Sequence, residues 1–209
     1  MGCPANPHGR VAPPAHLAAV VAWGREHGVL VASDECYVEL GWDVRATSAL
    51  ASGTDGVLAL HSLSKRSNAA GHRSAFVAGD AAVIEALHEV RRHVGLLMPA
   101  PVQAATAAAL DDDAHVEEQR AVYAERRDLL RDALGSVGWR IDHSEGGLYL
   151  WATHPAYDCW QAVGALAEIG ILVAPGSFYG PAGGQHVRVA LTAPTERIVT
   201  ATKRLGESG

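Results

Sequence analysis

Three short runs that are apolar apart from their ends set the first limit on this fold: "VLVAS" at 29–33, "GVLALHS" at 56–62 and "SAFVAG" at 74–79. None alternates polar with apolar residues, and helical patterns separate them. Strands of that kind belong to a parallel or mixed sheet covered on both faces. A helix over Ala15–His27 precedes the first run, with Leu17, Val20, Val21 and Trp23 as its apolar face and Gly28 as its stop. In such folds polar side chains gather at strand ends, where ligands bind, and Asp34, Ser62 and Lys65 all follow directly on these runs.

The texture changes further on. Helices are expected over Ala81–Val94 and Val102–Leu110, and the acidic triplet at 111–113 then caps a long charged helix from Ala114 to about Leu134. Val116, Tyr123, Leu130 and Val137 recur every seven residues, but charged neighbours make this a connecting helix rather than a coiled coil. Beyond it, "GWRID", "GLYLWAT", "ILVAP" and "HVRVALT" interleave with a helix over Asp158–Ile169 and a last one from Pro194. The expected organisation is α/β: a partial cofactor-binding large domain over 1–112, then a small α+β domain over 113–209 that includes the connecting helix.

Composition excludes several classes. A net charge of −6 argues against nucleic acid, whose phosphates require a basic face. No apolar run approaches a membrane span. Cys3, Cys36 and Cys159 are far apart with no CxxC, which suits a reducing cytoplasm and suggests no disulfide framework. "HEVRRH" at 88–93 resembles a zinc motif, but its second histidine is at i+5, off the shared helical face, so no metal is expected.

Chemistry concentrates in "HSLSKRSNAAGHR" at 61–73. The chain has 17 basic residues, yet Lys65 and Lys203 are its two lysines. A lysine in a loop also reads as a solvated surface group. Here Ser62 and Ser64 bring hydroxyls, Arg73 a fixed cation and Gly71 room for close approach, a set suited to a phosphate monoester. No GxxxxGK[ST] is present, which disfavours a nucleotide loop. The other chemistry open to a lysine, and closed to arginine, is attack on an aldehyde. Pyridoxal 5′-phosphate carries both groups. Its ring nitrogen would need an acid, for which Asp34 is the candidate, and Tyr37 could reach the ring's phenolic oxygen. Asp34 alone also reads as a cap at a strand end, and Arg188 in "HVRVALT" as either an anion partner or an edge-strand arginine pointing to solvent.

"NPHG" at 6–9, "SDECY" at 33–37, "SLSKRSNAAGHR" at 62–73 and "VAPGSFYGPAGGQHVRVAL" at 173–191 together resemble the class I/II, fold type I pyridoxal-phosphate-dependent aminotransferases. The resemblance implies Lys65 as the lysine bonded to the cofactor, Asp34 at the pyridine nitrogen, and Tyr37 and Asn6 at the phenolic oxygen. It implies Ser62, Arg73 and, third, Ser64 at the phosphate, with Arg188 on the substrate α-carboxylate. His8 stands where the family usually has threonine. Ping-pong transfer between an amino acid and a 2-oxo acid, in a homodimer, follows from the resemblance. A β-lyase of the same fold, or a catalytically silent fragment, would share these residues. "SDECYVELGW", "HSLSKRSN" and "HSEGGLYLWAT" are similar to actinobacterial succinyldiaminopimelate transaminases of lysine biosynthesis, with glutamate as donor; Arg66, Asn68 and Tyr179 are then candidates for the substrate's acidic tail. The match begins near the family's NPxG asparagine. The 209 residues alone are therefore expected to expose sheet edge and apolar surface, and to bind cofactor weakly.

Overall fold

The computed structural model describes residues 1–207. Two compact units form: Met1–Pro4 with Val11–Glu118, and Ala5–Arg10 with Gln119 onward. The division thus falls inside the connecting helix, and residues 5–10 group with the second unit.

In the first unit, α1 (Pro14–Glu26) opens with proline in its first turn, where no N–H is needed, and buries Leu17, Val21 and Gly24. Gly28 ends it in the left-handed region (φ +64°), with the Val29 N–H returned to the Gly24 carbonyl at 2.8 Å. Trp23 is not part of the buried face: it is 52% exposed and stacks on His27 at 4.5 Å. Six residues along a helix rotate it ~120° away from Leu17, whereas Val21 returns to within ~40°.

Strand β1 (Val31–Asp34) pairs in parallel with β2 (Val57–Ser62), and β3 (Ala75–Gly79) lies antiparallel on the other side of β2. The sheet is mixed. Val21, Val31, Ala49 and Val57 form a core on one face. Within this unit the other face is open, with Leu60 36% and Val77 40% exposed, so the sheet is not covered on both faces as the apolar runs suggest. Val29 and Leu30 lie outside β1 and are exposed as well. Met1–Cys3 runs along the outer edge of β1, giving and taking backbone hydrogen bonds at Asp34 (2.7 and 3.0 Å).

A single helical turn, α2 (Leu63–Arg66), follows β2 directly. Then come α3 (Ala81–His93), capped by Asp80, α4 (Ala100–Leu110) and α5 (Ala114–Ser136). Along α5 the heptad positions Val116, Tyr123 and Leu130 are buried, and Arg127 and Leu134 share that stripe.

The second unit is an antiparallel sheet in the order β4 (Arg140–Asp142), β5 (Tyr149–Thr153), β7 (His186–Ala190), β6 (Ala174–Pro175). Only two residues of "ILVAP" are strand; Leu172 is 88% exposed. Helix α6 (Cys159–Glu168) starts with a reciprocal capping box between Asp158 and Gln161, and α7 (Thr195–Glu207) buries Ile198 and Leu205. Leu148, Leu150, Ala152, Val187, Val189 and Leu191 supply the buried side of the sheet. Gly176 has no room for a side chain: a Cβ there would sit 2.2 Å from the Gly183 carbonyl and 2.8 Å from the Trp151 ring. No helix among the described residues is long and apolar enough to cross a membrane.

Candidate active site

In the first unit the candidate residues cluster at the C-terminal ends of β1 and β2. Period-two alternation buries Ser33 and turns Asp34 outward, so Asp34 ends its strand exposed rather than buried. Its Oδ1 accepts the Cys36 N–H at 3.1 Å, a turn that carries the chain into Tyr37. Asp34 is in register with Leu60 on β2, and the Glu35 N–H bonds the Leu60 carbonyl at 2.9 Å. Two residues past Leu60, Ser62 caps α2 and brings Lys65, half-buried, into the cluster.

Cys36 reports how near these charges are. Burial, then the adjacent Asp34, push its thiol up to about 12, and Lys65 acts in the opposite direction. A carboxylate and an ammonium therefore both lie within electrostatic reach of one sulfur.

Beside them is a set of hydrogen-bonding groups. The Ser62 hydroxyl contacts the Ser64 hydroxyl at 3.0 Å and donates to the Ser74 carbonyl at 3.1 Å, which ties the end of β2 to the residue after Arg73. Arg73 takes a left-handed backbone (φ +51°), and its exposed guanidinium donates to the Ala70 carbonyl at 3.1 Å. Arg66 does something other than reach for a substrate tail. Its side chain, 11% exposed, pairs with Asp113 and donates to the Ala109 carbonyl at 2.7 Å, joining α2 to the start of α5.

Behind Asp34, on the opposite side of the strand, lies Glu35, which is 1% exposed. Its Oε1 accepts the Ala49 N–H at 2.8 Å and its Oε2 faces His61 Nε2 at 3.2 Å; the His61 ring stacks on Phe76. Burial raises this carboxyl's pKa, but the nearby His61 ring, the Ala49 N–H and the Ser48 and Ser33 side chains outweigh it, and the group sits below its ordinary value of 4.5. A depressed carboxyl stabilises the fold above that value and loses its contribution as pH falls through the folded pKa. Glu35→Gln is therefore expected to cost about 1–3 kcal/mol at neutral pH, the penalty of unmatched buried groups. Urea unfolding at neutral pH and well below pH 4.5 checks this: the gap between the two proteins should narrow in acid.

In the second unit Arg188 lies on β7, between β5 and β6, so it is not an edge residue. Nor does it interrupt an apolar strand: Val187 and Val189 face the core and Arg188 takes the alternate face. Its guanidinium carbon lies 3.9 Å from the Tyr149 ring centroid and 5.0 Å from that of Tyr179. Nη1 donates to Asn6 Oδ1 at 3.1 Å, while the buried Nε has no hydrogen-bond partner. Tyr179 meets the Trp151 edge at 5.7 Å, and Trp151 stacks on His186, whose Nε2 contacts Asp142 at 2.9 Å. The aromatic support of Arg188 and the Arg127 anchor on α5 were missed from sequence. An arginine on the apolar stripe of a helix was a usable signal for the second.

A family profile described as aminotransferase class I and II matches residues 1–205. This chain belongs to the class I and II aminotransferases. Among this family's curated members, the 4-dedimethylamino-4-oxo-anhydrotetracycline transaminase of Streptomyces rimosus is 55% identical over 98% of this chain and 58% of its own length. The LL-diaminopimelate aminotransferase of Desulforudis audaxviator is 37% identical over 97% of this chain and 53% of its own. A solved aminotransferase from Staphylococcus aureus superposes with TM-score 0.90 at 32% identity, over 99% of this chain and 56% of that one. The chain thus spans about half the length of the family members it matches.

Pyridoxal 5′-phosphate is the cofactor of this aminotransferase family. The donor set of the first unit fits it: an amine and a carboxylate that both act on Cys36, with two hydroxyls and a guanidinium near the next strand end. Among the described residues no group of three or more metal-ligating side chains could hold a metal ion.

Proposed function

We propose that the protein carrying this chain transfers an amino group between an amino acid and a 2-oxo acid, as a cytoplasmic homodimer. The observation that carries the reading is Asp34 at the end of β1 and Lys65 on the helical turn that directly follows the adjacent β2, within a chain of this family. When bound, pyridoxal 5′-phosphate supplies an aldehyde carbon and an electron-withdrawing ring through which the amino group is exchanged.

The chain's own residues then divide the work. Lys65 Nζ would accept the proton that leaves the substrate's α-carbon and pass it to the carbon that was the cofactor's aldehyde, rather than back. Asp34 would hold a proton at the ring nitrogen, Ser62, Ser64 and Arg73 would hold the phosphate, and Tyr37 and Asn6 would hydrogen-bond the ring oxygen. Because Asn6 Oδ1 is used by Arg188, its amide N–H groups remain as the donors. Arg188 would take the substrate carboxylate; a planar guanidinium held against the Tyr149 and Tyr179 rings, with a buried N–H lacking a hydrogen-bond partner, suits a planar anion.

For the substrate, we favour glutamate as donor and an oxo acid of the N-succinyl-diaminopimelate type as acceptor. The similarity to a diaminopimelate aminotransferase supports a long acidic substrate. The more similar tetracycline-intermediate transaminase favours a second reading, a ring ketone as acceptor. Incubation with 15N-glutamate and each acceptor, with detection of 2-oxoglutarate and labelled product, separates them. No 2-oxoglutarate from glutamate, with ammonia and pyruvate released instead from a β-substituted amino acid such as an S-alkylcysteine, would overturn the transferase reading in favour of a lyase.

A further inference from the structure

We propose that Arg127, on α5, is a positioning residue that fixes two neighbours of Arg188, Asn6 and Tyr149, by holding the loop 143–147 in a strained conformation. His143 (φ +64°) and Ser144 (φ +80°) are consecutive non-glycine residues in the left-handed region, where side chains are disfavoured. Such a conformation persists only where its surroundings impose it. Here they do. Arg127 is 5% exposed and Ser144 1%, and the guanidinium spends two of its donors on this one residue: Nε to Ser144 Oγ at 3.0 Å and Nη2 to the Ser144 carbonyl at 2.7 Å.

The loop so held grips the segment that carries Asn6. The Ser144 N–H donates to the His8 carbonyl at 3.3 Å and the Gly146 N–H to the Gly9 carbonyl at 2.8 Å. The two backbones approach so closely that a Cβ on Gly9 would lie 2.6 Å from the Gly146 carbonyl. Residues 5–10 close on themselves through Ala5 N–H to Arg10 O (3.0 Å) and Gly9 N–H to Ala5 O (2.8 Å), so a shift at Gly9 moves Asn6. From Asn6 Oδ1 it is one hydrogen bond to Arg188. The same loop leads through Gly147 and buried Leu148 into Tyr149, whose ring stacks on the Arg188 guanidinium. Two of the groups that orient Arg188, Asn6 and Tyr149, therefore depend on the loop that Arg127 holds.

The proposal extends the reading of Arg188 as the carboxylate ligand, and rests on it for its second half. The test uses the full protein with pyridoxal 5′-phosphate bound and has two readouts. Amide hydrogen exchange at Ser144 and Gly146 reads the latch itself, and the dissociation constant for succinate, by calorimetry, reads the carboxylate site. Arg127→Ala is expected to speed exchange at both amides and to weaken succinate about tenfold, equivalent to ~1.4 kcal/mol. Arg127→Lys, which cannot fork onto two acceptors, should fall between. Glycine takes a left-handed backbone without strain, so Ser144→Gly added to Arg127→Ala should restore succinate binding to within about threefold of the parent, less than ~0.7 kcal/mol. A merely structural arginine would show no such rescue. Unchanged exchange in Arg127→Ala, or faster exchange with unchanged succinate binding while Arg188→Ala abolishes it, overturns the proposal. Unchanged binding in Arg188→Ala overturns the reading of Arg188 and the second half with it; exchange then decides the latch alone.

Discussion

Lys65→Arg in the protein that carries this chain is expected to lower kcat/KM for amino transfer at least ~10³-fold, toward the upper end of what a positioned general acid–base supplies. The substitution keeps the positive charge that acts on Cys36, so the local electrostatics survive. What it removes is a group able to give up a proton, since a guanidinium stays charged throughout the working range. Lys65 sits half-buried in a single helical turn held by the Ser62 cap and by the Arg66 contacts to Ala109 and Asp113, none of which uses the Lys65 side chain. Thermal melting should therefore shift little. Steady-state rates beside a melting curve check both halves; a variant keeping a tenth of the activity would assign the proton transfer elsewhere.

Arg188→Ala should raise KM for both the amino acid and the oxo acid and lower kcat/KM by about 10²–10³, equivalent to ~2.7–4 kcal/mol of lost carboxylate binding. Arg188→Lys should lie between the two. An ammonium retains the charge but neither stacks flat between Tyr149 and Tyr179 nor presents two parallel donors. An amine donor without a carboxylate provides the control, because the parent and Arg188→Ala should use it equally well. Equal losses on both kinds of donor would instead mean that the substitution damages the sheet.

The parts of this molecule legible from sequence are those governed by local rules. The apolar runs gave β2 and β3 to within a residue, Gly28 stopped α1, and the acidic triplet preceded α5. Sequence left Arg188 between an anion partner and an edge-strand arginine, and its place on the alternate face of a central strand came only with the pairing of β5 and β6 around it. What stayed hidden depends on partners distant in sequence. Trp23 satisfied the composition of an apolar face but not its angle. Arg66 resembled a free cation because Ala109 and Asp113, more than forty residues away, claim it only in the fold. No local pattern marks His143 and Ser144 as left-handed, since neither is glycine; the cause is Arg127, on another element.

These residues acquire a common purpose only if the amine at position 65 bonds the cofactor's aldehyde. Borohydride reduction of the protein loaded with pyridoxal 5′-phosphate, followed by proteolysis and mass spectrometry, measures that bond directly. The peptide containing Lys65 should carry the phosphopyridoxyl mass in near-stoichiometric yield, with Lys203 unlabelled. A label on Lys203, or none on Lys65, would contradict the account.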